Sequence, residues 1–238
     1  RFDNLATGTY FVQQVAAAGV VIPAGQDVAK VTITASDLAG VTGTVIDAFN
    51  ATSQYVSGAL FQSSNSGVAS GTGSRTGSSN AIASEAIGGS RKLYVQLTST
   101  HGSISLGANA NIPGFLDFAS GSASNGNFWV VWDGQSSDPQ ALNPTGLGQR
   151  DLTNGGASTG IKLTLGADHD SGFAVLKIYS DANSWSSATI AIPNTNDGAA
   201  TQEIFVPWSS FIAGGTSAAN FTQVGAIRLD ITGVNAAD

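Results

Sequence analysis

The sequence predicts an all-β chain, a jelly-roll-like β-sandwich preceded by an N-terminal β arm. Three observations carry this expectation. Short segments alternate apolar and polar residues with period two, as strands do when one face lies on a core and the other in water. Clusters of Gly, Asn, Asp and Ser separate these segments, and about a dozen of them fit into the 238 residues. Helical periodicity is nearly absent. The length is ample for one self-supporting β domain.

In chain order, residues 1–44 read as the arm and residues 45–238 as the sandwich. The arm holds strands near Phe11–Val15 and Val28–Thr34, interrupted by Ala16–Gly19 and by Pro23. A first sandwich strand is expected near Val45–Phe49. Residues 62–90 are half Gly and Ser, with only Arg75 and Glu85 charged. They read either as a long loop or as a pair of small-residue strands flat enough to pack on a neighbouring chain. Leu93, Val95 and Leu97 then alternate with Tyr94, Gln96 and Thr98. Strands follow near Ser103–Leu106 and Phe115–Ala119. Asn127–Trp132 is apolar on both faces, which predicts a central, doubly covered strand with Trp129 and Trp132 in the core. Ile161, Leu163 and Leu165 alternate with Lys162 and Thr164. Ala174–Ser180 and Trp185–Ile192 flank Asp181–Ser184 as a hairpin. After a strand at Glu203–Val206, Pro207–Phe211 reads as one helical turn that starts on proline. Val224–Thr232 closes the series. Ile161, Leu163, Leu165, Leu176, Ile178, Ile227, Leu229 and Ile231 are expected in one shared core.

Composition excludes much chemistry. Cysteine is absent, so disulfides, thiolate catalysis and Cys-ligated metals are ruled out. The two histidines, His101 and His169, are too few for most His-based metal sites. A net charge of −7 offers no basic groove for nucleic acid. No run of 18 apolar residues provides a membrane span. Methionine is absent as well, which reads as a processed product or a piece of something longer. A sulfur-free, acidic, small-residue chain points to an extracellular or cell-surface location.

Few residues suggest a reactive site. In Asp168–His169–Asp170, an extended backbone aims Asp168 and Asp170 the same way, as two oxygen ligands for a hard cation such as Ca²⁺. A polar turn is the plainer reading, and no cofactor is expected. The only glutamates are Glu85 and Glu203, and no G-x-S-x-G nucleophile elbow occurs, so the chain is not read as an enzyme. Trp185, beside a turn, is the aromatic best placed to stack on a sugar ring. Asn50–Thr52 and Asn220–Thr222 match the N-glycosylation triplet.

From Val45 onward, several stretches occur in an order that resembles one family. They are Ile87–Leu93, Gly114–Phe118, Val131–Gly134, Asn143–Gly148, Asp151–Thr153 and Val224–Ile227. The family is that of bacterial extracellular domains sorted by exosortases, the PEP-CTERM class. The resemblance implies a secreted β-sandwich and carries little about function, since most such proteins are uncharacterised surface or matrix components. In that family, a turn and a closing strand with a sequence like DNL follow the strand that resembles Val224–Thr232. Here Gly233–Asp238 ends just where that closing strand should start, while Arg1–Phe2–Asp3–Asn4–Leu5 looks like the missing closing strand. The order reads as a tandem repeat divided between turn and strand. This arrangement predicts a structural subunit of an extracellular filament or matrix, with the chain itself as partner. Arg1, Phe2, Asp3, Asn4 and Leu5 of one copy would join head-to-tail onto the sheet of the next, against Ile227, Leu229 and Ile231. The alternative is a monomeric surface domain that binds polysaccharide or adheres through Trp185, with the arm closing its own sandwich.

Overall fold

The computed structural model describes residues 8–13, 28–33, 43–60, 73–121, 124–134, 138–168, 172–196 and 200–235. Fourteen strands occur among them: β1 (Gly8–Gln13), β2 (Val28–Ile33), β3 (Gln54–Leu60), β4 (Thr76–Ile82), β5 (Ser90–Leu97), β6 (Gly102–Ala108), β7 (Leu116–Ser120), β8 (Asn125–Trp132), β9 (Gly160–Leu165), β10 (Phe173–Tyr179), β11 (Trp185–Ala191), β12 (Gln202–Pro207), β13 (Ile212–Ala213) and β14 (Ala226–Asn235). No α-helix is present among the described residues, only 3₁₀ turns at Ile87–Gly89 and Trp208–Ser210. The second of these follows Pro207, as expected.

All strand pairs are antiparallel. The largest sheet has seven strands in the order β13-β11-β10-β14-β8-β5-β4. Facing it are a three-stranded sheet, β3-β6-β7, and a two-stranded sheet, β9-β12. β1 and β2 form a separate two-stranded sheet. Period-two alternation explains the layering. Leu93 and Val95 of β5, Phe128 and Val130 of β8, Leu176 and Ile178 of β10, and Ile227, Leu229 and Ile231 of β14 all turn to one face. Val56 of β3, Ile104 and Leu106 of β6, and Ile161 and Val206 of the β9-β12 pair meet them from the other side. All eight residues expected to share a core do so, with Leu163 and Leu165 partly buried at its margin.

Several strands differ from expectation for identifiable reasons. Val45–Phe49 is not a strand. It makes one bridge, Asp47 to Ala86, and Phe49 has a positive φ of 50°. This segment is instead held by side chains, as described below. The small-residue region contributes an edge strand, β4, which pairs with β5. There the two layers meet closely: a Cβ at Gly58 would lie 2.5 Å from the Arg75 carbonyl oxygen, and one at Gly77 would collide with that of Ser57. Glycine therefore closes this flank of the sandwich. Of the two tryptophans assigned to the core, only Trp132 belongs there, at 4% exposure. Trp129 is half-buried on the outer face, stacked on Tyr94 at 3.6 Å from the β5 side. From the β14 side, the Arg228 guanidinium lies 4.6 Å from its ring centre. An apolar pair on both faces of one strand does not specify which face meets the core.

Candidate functional site

Among the described residues, the flank opposite Gly58 and Gly77 is not closed: β7 is the last strand of its sheet and β9 pairs only with β12, and a cavity of about 1400 Å³ runs between them. One wall is β7 and the other is β9, while Trp132, Leu176, Leu229 and Ile231 of the large sheet lie at the base. The base is apolar, with Leu229 and Ile231 only 5% and 4% exposed. Leu116 and Phe118 on one rim, and Leu163 and Leu165 on the other, are half-buried.

The hydrogen-bond parity of each edge defines what it presents to the groove. Asn109 N–H donates to the Phe115 carbonyl at 2.8 Å, and Gly121 N–H to that of Ser103, also at 2.8 Å. In the β6–β7 register, bonded pairs therefore fall on odd residues of β7, and alternation turns the N–H and C=O of Leu116, Phe118 and Ser120 toward the groove. On the other side, Trp208 N–H donates to the Thr159 carbonyl at 2.9 Å. By the same alternation, Gly160, Lys162 and Thr164 direct their backbone groups away from β12. Pro207, opposite Gly160, fits this parity because it has no N–H to give. Two edges whose backbone groups have no strand partner among the described residues thus face one groove lined by apolar side chains. An edge of this kind is a template for another strand.

The end of the groove formed by residues 43–49 is fixed by a buried ionic network. Arg91 Nη1 contacts both carboxylate oxygens of Asp47, at 2.9 and 2.8 Å, and Trp132 Nε1 donates to Asp47 Oδ2 at 2.8 Å. Arg91 also donates to Gln54 Oε1 and to the Thr52 carbonyl. Glu85, 3.7 Å from Arg91, accepts from Thr52 N–H at 2.8 Å. Burial alone would raise its carboxyl, but the hydrogen bonds from Thr52 and the Arg91 charge outweigh this and hold it below the usual value. Next along β5, Lys92 Nζ pairs with Asp133 at 2.8 Å and donates to the Ala141 carbonyl at 2.7 Å. Two successive fully buried cations, Arg91 and Lys92, were not foreseen from the sequence. Their fully buried stems mark them as structural.

The remaining candidate residues separate. Leu229 and Ile231 lie at the base of the groove, whereas Ile227 is fully buried beyond it. β14 is not an edge. It lies between β10 and β8 as far as Thr232 and continues to Asn235 paired with β8 alone, with a register irregularity after Ile231. The β7–β9 groove lies across the sandwich from β14, with Leu229 and Ile231 beneath it. Arg1, Phe2, Asp3, Asn4 and Leu5 lie outside the described residues. Asp168 sits in a bend after β9 and lines the groove, while Asp170 lies outside the described residues. Among those described, no three His, Cys, Asp or Glu residues gather into a metal-binding group. Trp185 is half-buried, with Tyr179 stacked at 5.8 Å and the Gly214 backbone against its ring, where a Cβ would not fit. It therefore offers no open platform. Trp208 stacks on Phe221 at 4.5 Å and donates to the Ser158 carbonyl. No helix among the described residues is long and apolar enough to cross a membrane. No family model, curated protein or solved structure matches the chain.

Proposed function

We propose that the protein is a structural subunit of an extracellular filament or matrix, polymerising head-to-tail as each copy lays its N-terminal strand into the β7–β9 groove of the next. The observation that carries this reading is the pair of facing edges. With one strand added, β3-β6-β7 and β9-β12 become a single six-stranded layer against the seven-stranded sheet, completing a jelly-roll-like sandwich. Strand spacing is about 4.8 Å, so a single strand bonded on both sides requires the two edges to lie about 10 Å apart. Backbone bonds supply affinity, and Phe2 supplies an apolar side chain to cover Leu116, Phe118, Leu163 and Leu165. A head-to-tail contact of this kind has no two-fold closure and propagates as a fibre. An acidic, cysteine-free composition suits that location. The alternative of a sugar-binding monomer draws less support, because Trp129, Trp132, Trp185 and Trp208 all pack against partners within the fold.

Electron microscopy and sedimentation of the full chain beside one lacking residues 1–7 test the proposal. Fibres from the first and soluble monomer from the second are expected. Equal assembly by both overturns it.

A further inference from the structure

We infer that the β7–β9 groove takes a strand of one polarity, antiparallel to both walls, starting beside Ser120 and Leu165 and ending beside Leu116 and Gly160. This inference rests on the strand-donation reading and adds the direction in which the segment from a second copy of this chain lies. The acceptor's backbone sets this direction, whatever side chains the donor carries.

Both walls of the groove run the same way. β14 supplies the frame, since Ile227 near its start pairs with Trp132 and Asn235 at its end pairs with Asn125. β7 begins at the Trp132 end. Leu116 pairs with Ala108 and Ala108 with Gln54, and Gln54 Nε2 donates to the Arg91 carbonyl, one residue before the Lys92–Val131 pair. β7 finishes at the other end, where Ser120 Oγ donates to the Ser124 carbonyl beside Asn125. β9 also begins at the Trp132 end. The Thr159 carbonyl holds Trp208 N–H, Trp208 stacks on Phe221, and the Phe221 carbonyl accepts from Leu152 close to the Arg150–Val224 bridge, just before β14. Beyond its end, Ala167 bridges Asn194, which follows β11. There Ala191 pairs with Phe173, and Phe173 with Thr232. β7 and β9 are therefore parallel to each other across the groove.

Hydrogen-bond parity gives the same answer independently. On β7 the groove-directed backbone groups belong to Leu116 and Phe118, whose side chains pack inward. On β9 they belong to Lys162 and Thr164, which alternate with the inward-packing Ile161, Leu163 and Leu165. A strand of given direction sends the backbone groups of its inward residues to one side and those of its outward residues to the other. Two facing edges present opposite sets only when their strands are parallel. Every pair of strands in this fold is antiparallel, so two parallel neighbours lack the strand that belongs between them. One strand running the other way fits both walls. Its inward residues oppose and bond Leu116 and Phe118, and its outward residues oppose and bond Lys162 and Thr164. Ser120 and Gly160 complete the two sets, so about six residues saturate them. A donor parallel to both walls would form two ladders of the less stable, slanted kind. The antiparallel donor starts at the end of the groove where β14 of the acceptor ends, and leaves past the rim that Arg91 fixes through Asp47.

The test reads which end of the donor meets which end of β9. Full-length donor chains carry Arg1→Cys or Leu5→Cys, and full-length acceptor chains carry Thr159→Cys or Thr164→Cys, at exposed positions flanking the groove. The four mixtures are assembled and oxidised. Positions 1 and 5 lie about 14 Å apart on an extended strand, and a disulfide needs Cα atoms within about 7 Å, so the two polarities give opposite patterns. Covalent heterodimers are expected from Arg1→Cys with Thr164→Cys and from Leu5→Cys with Thr159→Cys, with the crossed mixtures unlinked. Links in the crossed mixtures alone show a donor parallel to both walls, which overturns this inference while strand donation stands. Links in none of the four also overturn it, and strand donation falls as well if the chain lacking residues 1–7 still forms fibres.

Discussion

A proline at Thr164 discriminates between an edge that is idle and one that receives a strand. Thr164 is exposed on the outer face of β9, opposite Glu203, and the parity set by Trp208 N–H and the Thr159 carbonyl directs its own N–H into the groove. Thr164→Pro thus leaves the β9–β12 ladder intact, and proline is tolerated on an edge strand whose N–H faces solvent. Melting of the monomer should change by no more than about 1 kcal/mol. Assembly should respond differently. The substitution deletes one backbone hydrogen bond worth about 1 kcal/mol net, equivalent to roughly fivefold in affinity, and the ring adds a steric obstacle to an approaching strand. Leu163→Pro is the informative contrast. Its N–H lies on the β12 side, and its half-buried side chain packs at the core margin. It should destabilise the fold itself by about 2–5 kcal/mol. The measurements are thermal unfolding by circular dichroism and the critical concentration from sedimentation. Unchanged polymerisation of Thr164→Pro would refute the assignment of the β9 edge to the subunit junction.

Further outcomes follow from the packing. Truncating Leu176 or Ile227 to Ala, both at 2% exposure or less, should cost about 2–5 kcal/mol in chemical denaturation. Gly77→Val should destabilise the monomer through collision with the Ser57 backbone, whereas Gly148→Ala, with open space around its Cβ, pays only for its positive φ of 68°. Glu85, held below its usual value, contributes stability that is complete above the unfolded carboxylate value of about 4.3 and is lost as pH falls through the folded one. Glu85→Gln should therefore show a shallower acid limb in pH-dependent melting. Adding EDTA should leave the melting temperature unchanged, and a large drop would point to the loop containing Asp168.

Strands with one wet face were legible because alternation is a local signal. Ile161–Leu165, the hairpin around Asp181–Ser184 and the strand ending near Thr232 were each placed from a few residues. β3 and β4 were not, since QYVSGAL and TGSSNAI carry small or polar residues where two layers touch, and that closeness is tertiary. Trp129 and Trp132 differ by three positions and so face opposite ways, a fact masked by the apolar residues on both sides. The groove was not legible in the sequence. Its position depends on which strands neighbour β7 and β9, and no local pattern encodes that. β14 lies between β10 and β8 as far as Thr232 and beyond it pairs with β8 alone, a change that no local pattern in the sequence marks. The buried Arg91–Asp47–Trp132 network joins residues 44 and 85 positions apart and leaves no trace in spacing.

Interchain cross-linking tests the central claim most directly, because the chain has no cysteine of its own. One population carries Asp3→Cys and a second carries Lys162→Cys or Thr164→Cys. The two are mixed, allowed to assemble and oxidised. Disulfides form only where Cα atoms come within about 7 Å, so the account predicts a covalent heterodimer of one chain from each population, lost when residues 1–7 compete as a free peptide. A chain bearing both substitutions that instead forms only an intrachain link, as a monomer independent of concentration, would show the arm closing its own sandwich and contradict the account.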